Sequence, residues 1–183
     1  MARTLLIDEQ YIKDNSAIDE NVDVKLLLDA IWTSQREHIK PLLGTDLFDD
    51  IIAKADAATL AGNDLILVDT YIAPTLLKWV IFEMTLVLSY KYRNKGVMQQ
   101  NSDNSTSTGS ADLRTLLDHW RHKAEMFAND TVQYLRANTD LFPLYLTNSD
   151  FDDIQPKASG YTSGLFLGRA NGANINPDKD CCA

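Results

Sequence analysis

Apolar residues follow helical spacing over most of this chain, and each change in the pattern marks an element boundary. From Val22 onward, Val24, Leu27, Leu28, Ile31, Gln35 and Ile39 share one helical face, which predicts a helix to the neighbourhood of Lys40 with Asn21 or Asp23 as its cap. Pro41 and Gly44 then form a corner. Thr45, Asp46 and Asp49 supply a cap and first-turn acids for a second, shorter helix through about Ala57. Gly62 and Asn63 break the pattern in a turn over residues 61–64. The next stretch, Tyr71–Val97 (YIAPTLLKWVIFEMTLVLSYKYRNKGV), is apolar on almost every side. A helix of that kind needs neighbours all round it, so it is expected to be the axis of the core. Pro74 pushes the preceding residue out of the α region, predicting a break at Ile72–Ala73 and a helix restarting with Pro74 in its first turn. At the far end Lys91, Arg93 and Lys95 complement the negative end of the helix dipole, and Gly96 offers a left-handed cap.

Residues 101–110 (NSDNSTSTGS) hold nothing to bury and read as a mobile surface loop or a segment ordered on assembly. Ser110 or Asp112 caps a long last helix, on which Leu113, Leu116, Leu117, Trp120, Ala124, Phe127, Tyr134 and Leu135 trace a stripe that covers the axial helix. It is expected to end near Asn138. Leu141–Leu146 (LFPLYL) follows as a short apolar hook, with Pro143 blocking helical continuation. The pattern therefore predicts an all-α fold: a helical bundle around a central apolar helix over residues 22–146. An extended N-terminal arm, residues 1–21, and an extended C-terminal tail, residues 147–183, flank it. The tail is polar apart from Tyr161, Leu165, Phe166 and Leu167, a cluster suited to adding onto a partner's sheet edge or groove; folding back onto its own domain is the alternative.

Composition narrows the function. A chain of 183 residues with 45% hydrophobic content can bury a real core as one domain. Its formal net charge of -9 argues against a surface that grips nucleic acid by neutralising phosphates. An acidic wall suits a conduit past which DNA slides without sequence-specific binding. The axial run has the length of a membrane span, but Lys78 and Glu83 interrupt it on different faces, so no membrane association is expected. Acids directly after the first short apolar run leave no signal-peptide pattern, which points to the cytoplasm. Cys181 and Cys182 are adjacent in the tail and cannot staple the domain.

Few residues offer chemistry. Thr75, Lys78, Thr85 and Ser89 fall on one narrow strip of the axial helix, its natural route to solvent or a polar partner. Glu83 lies off that strip and reads first as a carboxylate paired with Arg or Lys from a neighbouring helix; a subunit contact or a proton-transfer role is the sharper alternative. His119 and His122 are spaced for a metal, with Glu125 nearby, but helical geometry turns both imidazoles to solvent. His38 reads as a packed residue at the core's edge with no obvious partner. Nucleophile-elbow, phosphate-loop, HExxH, Cys–His and ExxH patterns are all missing from the sequence, so neither catalytic residues nor cofactors or metals are expected.

The corner HIKPLLGTDLFDDI at His38–Ile51 and the axial run together resemble the head-to-tail connector, or adaptor, proteins of tailed bacteriophages, most closely those of Bacteroidetes-infecting, crAss-like phages. The likeness continues through NSDNSTSTGS, QYLRAN and FPLY, covering most of Val22–Leu146. It implies a structural virion protein and no enzyme: a protomer that assembles into a ring, commonly of twelve copies, docks on the portal protein and joins capsid to tail around the DNA channel. Its place would be the virion neck, assembled in the host cytoplasm, with other neck and tail proteins as further partners. On that reading Lys78, Glu83, Tyr161, Leu165, Phe166 and Leu167 are interface positions. The loop at Gln99–Asp112 and the tail at Asp150–Asn174 would be ordered by neighbours. A free-standing helical module binding a protein through its tail is the second reading, and a metal-dependent enzyme using His119, His122 and Glu125 the third.

Overall fold

The computed structural model describes residues 3–18, 21–93, 96–99, 109–146 and 154–157. It is an all-α bundle of five helices, α1 to α5, built around one apolar helix, with a small hairpin at one end.

Helix α1 is Glu9–Asn15, capped by Asp8, whose carboxylate accepts the Tyr11 N–H. Helix α2 runs Val24–Ser34, widens through a π-turn at Gln35–Ile39 and closes with Lys40–Leu43; Asp23 caps it by accepting the Lys25 N–H. Helix α3 is Thr45–Asp56. Helix α4 starts at Gly62–Ile66, widens through a second π-turn at Leu67–Ile72 and continues as Ala73–Ser89. Strands β1, Tyr90–Arg93, and β2, Gly96–Gln99, pair antiparallel with Tyr90 opposite Gln99. Helix α5 is Ser110–Ala137, and a 3-10 turn at Pro143–Tyr145 ends the bundle.

Both helical prolines follow a π-turn. A proline inside an α-helix removes one hydrogen bond and drives its ring into the carbonyl four residues back. A turn of i→i+5 bonds is wider and relieves that collision. The widened bonds are Lys40 N–H to the Gln35 carbonyl ahead of Pro41, and Ala73 N–H to the Val68 carbonyl ahead of Pro74. The expected break at Ile72–Ala73 is therefore a bulge in one continuous helix, and α2 passes Pro41 before Gly44 turns the corner.

Helix α4 is the axis. Ala73, Thr75, Leu76, Leu77, Trp79, Val80, Ile81 and Met84 are buried, a set that wraps the helix on nearly every side. Helix α2 covers one flank with Leu27, Ile31 and Ile39; α5 covers another with Ala124, Ala128, Val132 and Leu135. Each large apolar side chain removed from water contributes about 1.5–3 kcal/mol, so this seam is the main source of cohesion. Leu116, expected in the α5 stripe, is exposed.

The axial helix ends earlier than its hydropathy suggests. It stops at Ser89, where Tyr90 takes extended dihedrals; in the last turns the Thr85 and Ser89 hydroxyls donate back to the Ile81 and Thr85 carbonyls. The aromatic, alternating Tyr90–Arg93 segment suits a strand. Lys91 and Arg93 thus lie in β1, and Gly96 opens β2 instead of capping a helix. Gly62 and Asn63, expected in a turn, form the first turn of α4; the reversal falls just before them, with Ala58 at φ 54.

The N-terminal residues do not stand away from the bundle. Residues 3–8 form no regular element and bend at Leu6 and Ile7, and Ile7 and, within α1, Ile12 are buried in the main core. The Gln35 side chain fastens this strap by accepting the Leu6 N–H and donating to the Thr4 carbonyl.

Candidate functional site

Three places carry polar or exposed features that the core does not explain. The first is the α2–α4 seam. Trp79 and Glu83 lie one turn apart on α4, facing the π-turn of α2. The His38 imidazole stacks flat on Trp79, ring centroids 3.6 Å apart and planes 5° from parallel. Its Nε2 atom lies 3.5 Å from Glu83 Oε1. Glu37, adjacent in the same turn, brings its carboxylate in as well: donor atoms of Glu37, His38 and Glu83 all lie within 4.8 Å of one another. The expected partner of Glu83, a Lys or Arg, is replaced by this histidine. Sequence reading left His38 without a partner because 45 residues separate it from Glu83, and no local spacing betrays such a pair.

The second place is the α4–α5 seam, where the polar strip meets a polar partner on α5 at its Thr75 end. Thr75 is fully buried, its hydroxyl 2.7 Å from the Tyr71 carbonyl and 3.0 Å from the Thr131 hydroxyl. Thr131 also reaches the Tyr71 carbonyl, so the widened turn is tied to α5 by side chains. One turn on, Lys78 is half-buried with its ammonium 5.7 Å from the Phe127 ring centre. Burial in the first place, and Lys123 in the second, lower its pKa.

The third is the C-terminal end of the axial helix. Leu86, Val87 and Leu88 are 40%, 38% and 40% exposed in succession, with Leu116 of α5 also bare. Three consecutive helical positions span about 200° of the circumference, so the described residues do not complete a sleeve at this end.

His119 and His122 are exposed, in agreement with their helical positions. Glu125 does not join them, because its buried carboxylate accepts from Arg121 Nε at 3.1 Å. Among the described residues, the trio that assembles is Glu37, His38 and Glu83. Tyr161, Leu165, Phe166, Leu167, Cys181 and Cys182 lie outside the described residues, as does most of the polar loop. Residues 154–157 of the tail are described, and they clasp the α2–α3 corner. Thr45 N–H donates to the Ile154 carbonyl, Ile154 N–H to Thr45 Oγ1, and Lys157 N–H to the Pro41 carbonyl.

A sequence family of unknown function, DUF6712, matches residues 39–154, more than half of the chain. The chain belongs to DUF6712. The DUF6712 match begins one residue after His38 and ends at Ile154, so it takes in α3 to α5, Glu83 and the start of the clasp. No curated protein and no solved structure matches the chain.

Proposed function

We propose that this DUF6712 protein is a structural subunit of a tailed-phage neck: a connector that packs against copies of itself in a ring, docks on the portal protein and joins capsid to tail around the DNA channel. The single observation that carries this reading is the bare end of the axial helix. A helix this apolar is stable in water only when sleeved, and its last two turns present Leu86, Val87 and Leu88 together. A second copy, or the portal, supplies the missing cover. The connector likeness of the corner and axial run agrees with that role, as does the net charge of -9, which keeps passing DNA from sticking to the ring.

The test is a light-scattering mass over a concentration series, alone and with a tailed-phage portal protein. A ring former gives a large, discrete oligomer in at least one condition. A mass fixed at one chain, with no portal complex at the highest concentration, overturns the reading and favours the free-standing binding module.

A further inference from the structure

We propose that Glu37, His38 and Glu83 form a binding site for one divalent transition-metal ion of zinc's chemical class, bridging α2 and α4. This inference is independent of the connector reading. The donor set is one imidazole nitrogen and two carboxylate oxygens, a combination that suits borderline ions such as Zn2+. Zinc bound at about 2.0–2.2 Å sets its ligands roughly 3.3 Å apart. The His38–Glu83 separation of 3.5 Å already matches this, and the 4.8 Å limit for the trio is within reach of a small rotamer adjustment.

The site is built rather than accidental on three counts. The His38 ring stacks flat on buried Trp79, which is itself braced edge-on by Phe82, and this contact orients the imidazole toward Glu83. Metal sites depend on such outer contacts to fix the imidazole. The π-turn at Gln35–Ile39 holds more residues per turn than an α-helix, so successive side chains diverge less and Glu37 and His38 can serve one ion. Finally, among the described residues no lysine or arginine neutralises either carboxylate. Nearby Lys40 pairs with Asp49 at 3.6 Å, and the Arg36 guanidinium lies over Trp32. Two carboxylates without a lysine or arginine partner attract a dication.

Exposure fits as well. His38 and Glu83 side chains are 20% and 27% exposed, and Glu37 is open to solvent, which leaves an entry path and room for water on the ion. Because its ligands come from two helices that must pack before they meet, metal binding is coupled to the folded state and raises its stability.

Titration of the full chain, stripped with EDTA, with ZnCl2 should show one ion per chain by calorimetry and a rise in Tm. Glu37 is exposed, so Glu37→Gln folds as the parent does; it should weaken Zn2+ binding ten-fold or more, while relief of repulsion with Glu83 leaves the metal-free Tm no lower than the parent's. Glu83→Gln should do the same to affinity. Zn2+ could instead be held by the exposed His119–His122 pair or by Cys181–Cys182. A His119→Gln/His122→Gln variant should therefore keep full binding, and the Co2+ complex should lack a thiolate charge-transfer band. The proposal is overturned if Zn2+ gives neither heat nor a Tm shift, if Glu37→Gln binds as tightly as the parent, or if binding follows the His119–His122 pair or the thiolates.

Discussion

Gly44 shows how much can rest on one residue without a side chain. It sits at φ 82, and an added β-carbon would lie 3.0 Å from Pro156 Cδ and 3.2 Å from the Ile154 carbonyl oxygen. Gly44→Ala therefore meets both a left-handed backbone penalty and the tail. A loss of roughly 2 kcal/mol is expected, read as a lower urea midpoint, with easier proteolysis of the tail beyond residue 153. Lys78 makes a different prediction because burial lowers its pKa from the ordinary 10.5. Between the folded-state value and 10.5 the unfolded chain holds more protons, so stability rises with pH across that window. The destabilisation is complete below it and gone above. Lys78→Met, which keeps the stem against Phe127 and removes the charge, should be more stable than the parent at pH 7, the gain being partly offset by the lost cation–π contact. The gain should shrink as urea titrations move toward pH 10.5, and a constant gain would contradict this account. Residues whose roles depend on nearby sequence, such as Asp23 as a cap and Gly44 at a corner, were legible from the chain. His38, Glu83 and Thr75 were not, because their partners arrive from other helices.

At the scale of elements, periodicity located all four main helices but misjudged where some of them end. Proline was read as a stop at Ile72–Ala73 because local sterics forbid the α region there; the wider π-turn is the way round that constraint, and tertiary packing selects it. The hairpin after Ser89 stands where a helix end is expected, because Lys91, Arg93 and Gly96 fit a helix C-terminus equally well and only the tyrosine alternation marks a strand. The tail clasp belongs to this scale too. Residues 154–157 add three hydrogen bonds at the α2–α3 corner, each worth about 0.5–1.5 kcal/mol net. A chain ending after Asp153 should stay folded, since the buried core lies elsewhere, but lose about 1.5–4.5 kcal/mol of stability. A chain ending after Lys157 should match the full chain. Equal Tm values for the two truncations would show that the clasp contributes nothing.

For the whole molecule the question is what covers the bare end of the axis. Helix α4 over Gly62–Ser89 has a mean hydropathy of 1.6 in its most apolar window, enough for a membrane span, yet 56% of that window is buried by the rest of the protein. A helix sleeved along most of its length cannot also face lipid along that length. The exposed large apolar side chains of α4 lie at its two ends, Leu65 and Ile66 at the start and Leu86, Val87 and Leu88 at the finish, and each patch is too short to cross a bilayer. Replacing Leu86 and Leu88 together with Glu tests the second patch as a protein contact, because both are already substantially exposed and neither belongs to the main buried cluster. The double variant should keep its Tm within a few degrees of the parent while losing self-association and portal binding by light scattering. Vesicle flotation settles the competing cover: the parent should stay with the soluble fraction in the presence of anionic or neutral liposomes. If the parent floats and the variant does not, lipid rather than protein completes the sleeve. If the variant unfolds, these leucines belong to the core of a single chain, and the case for a ring loses its main support.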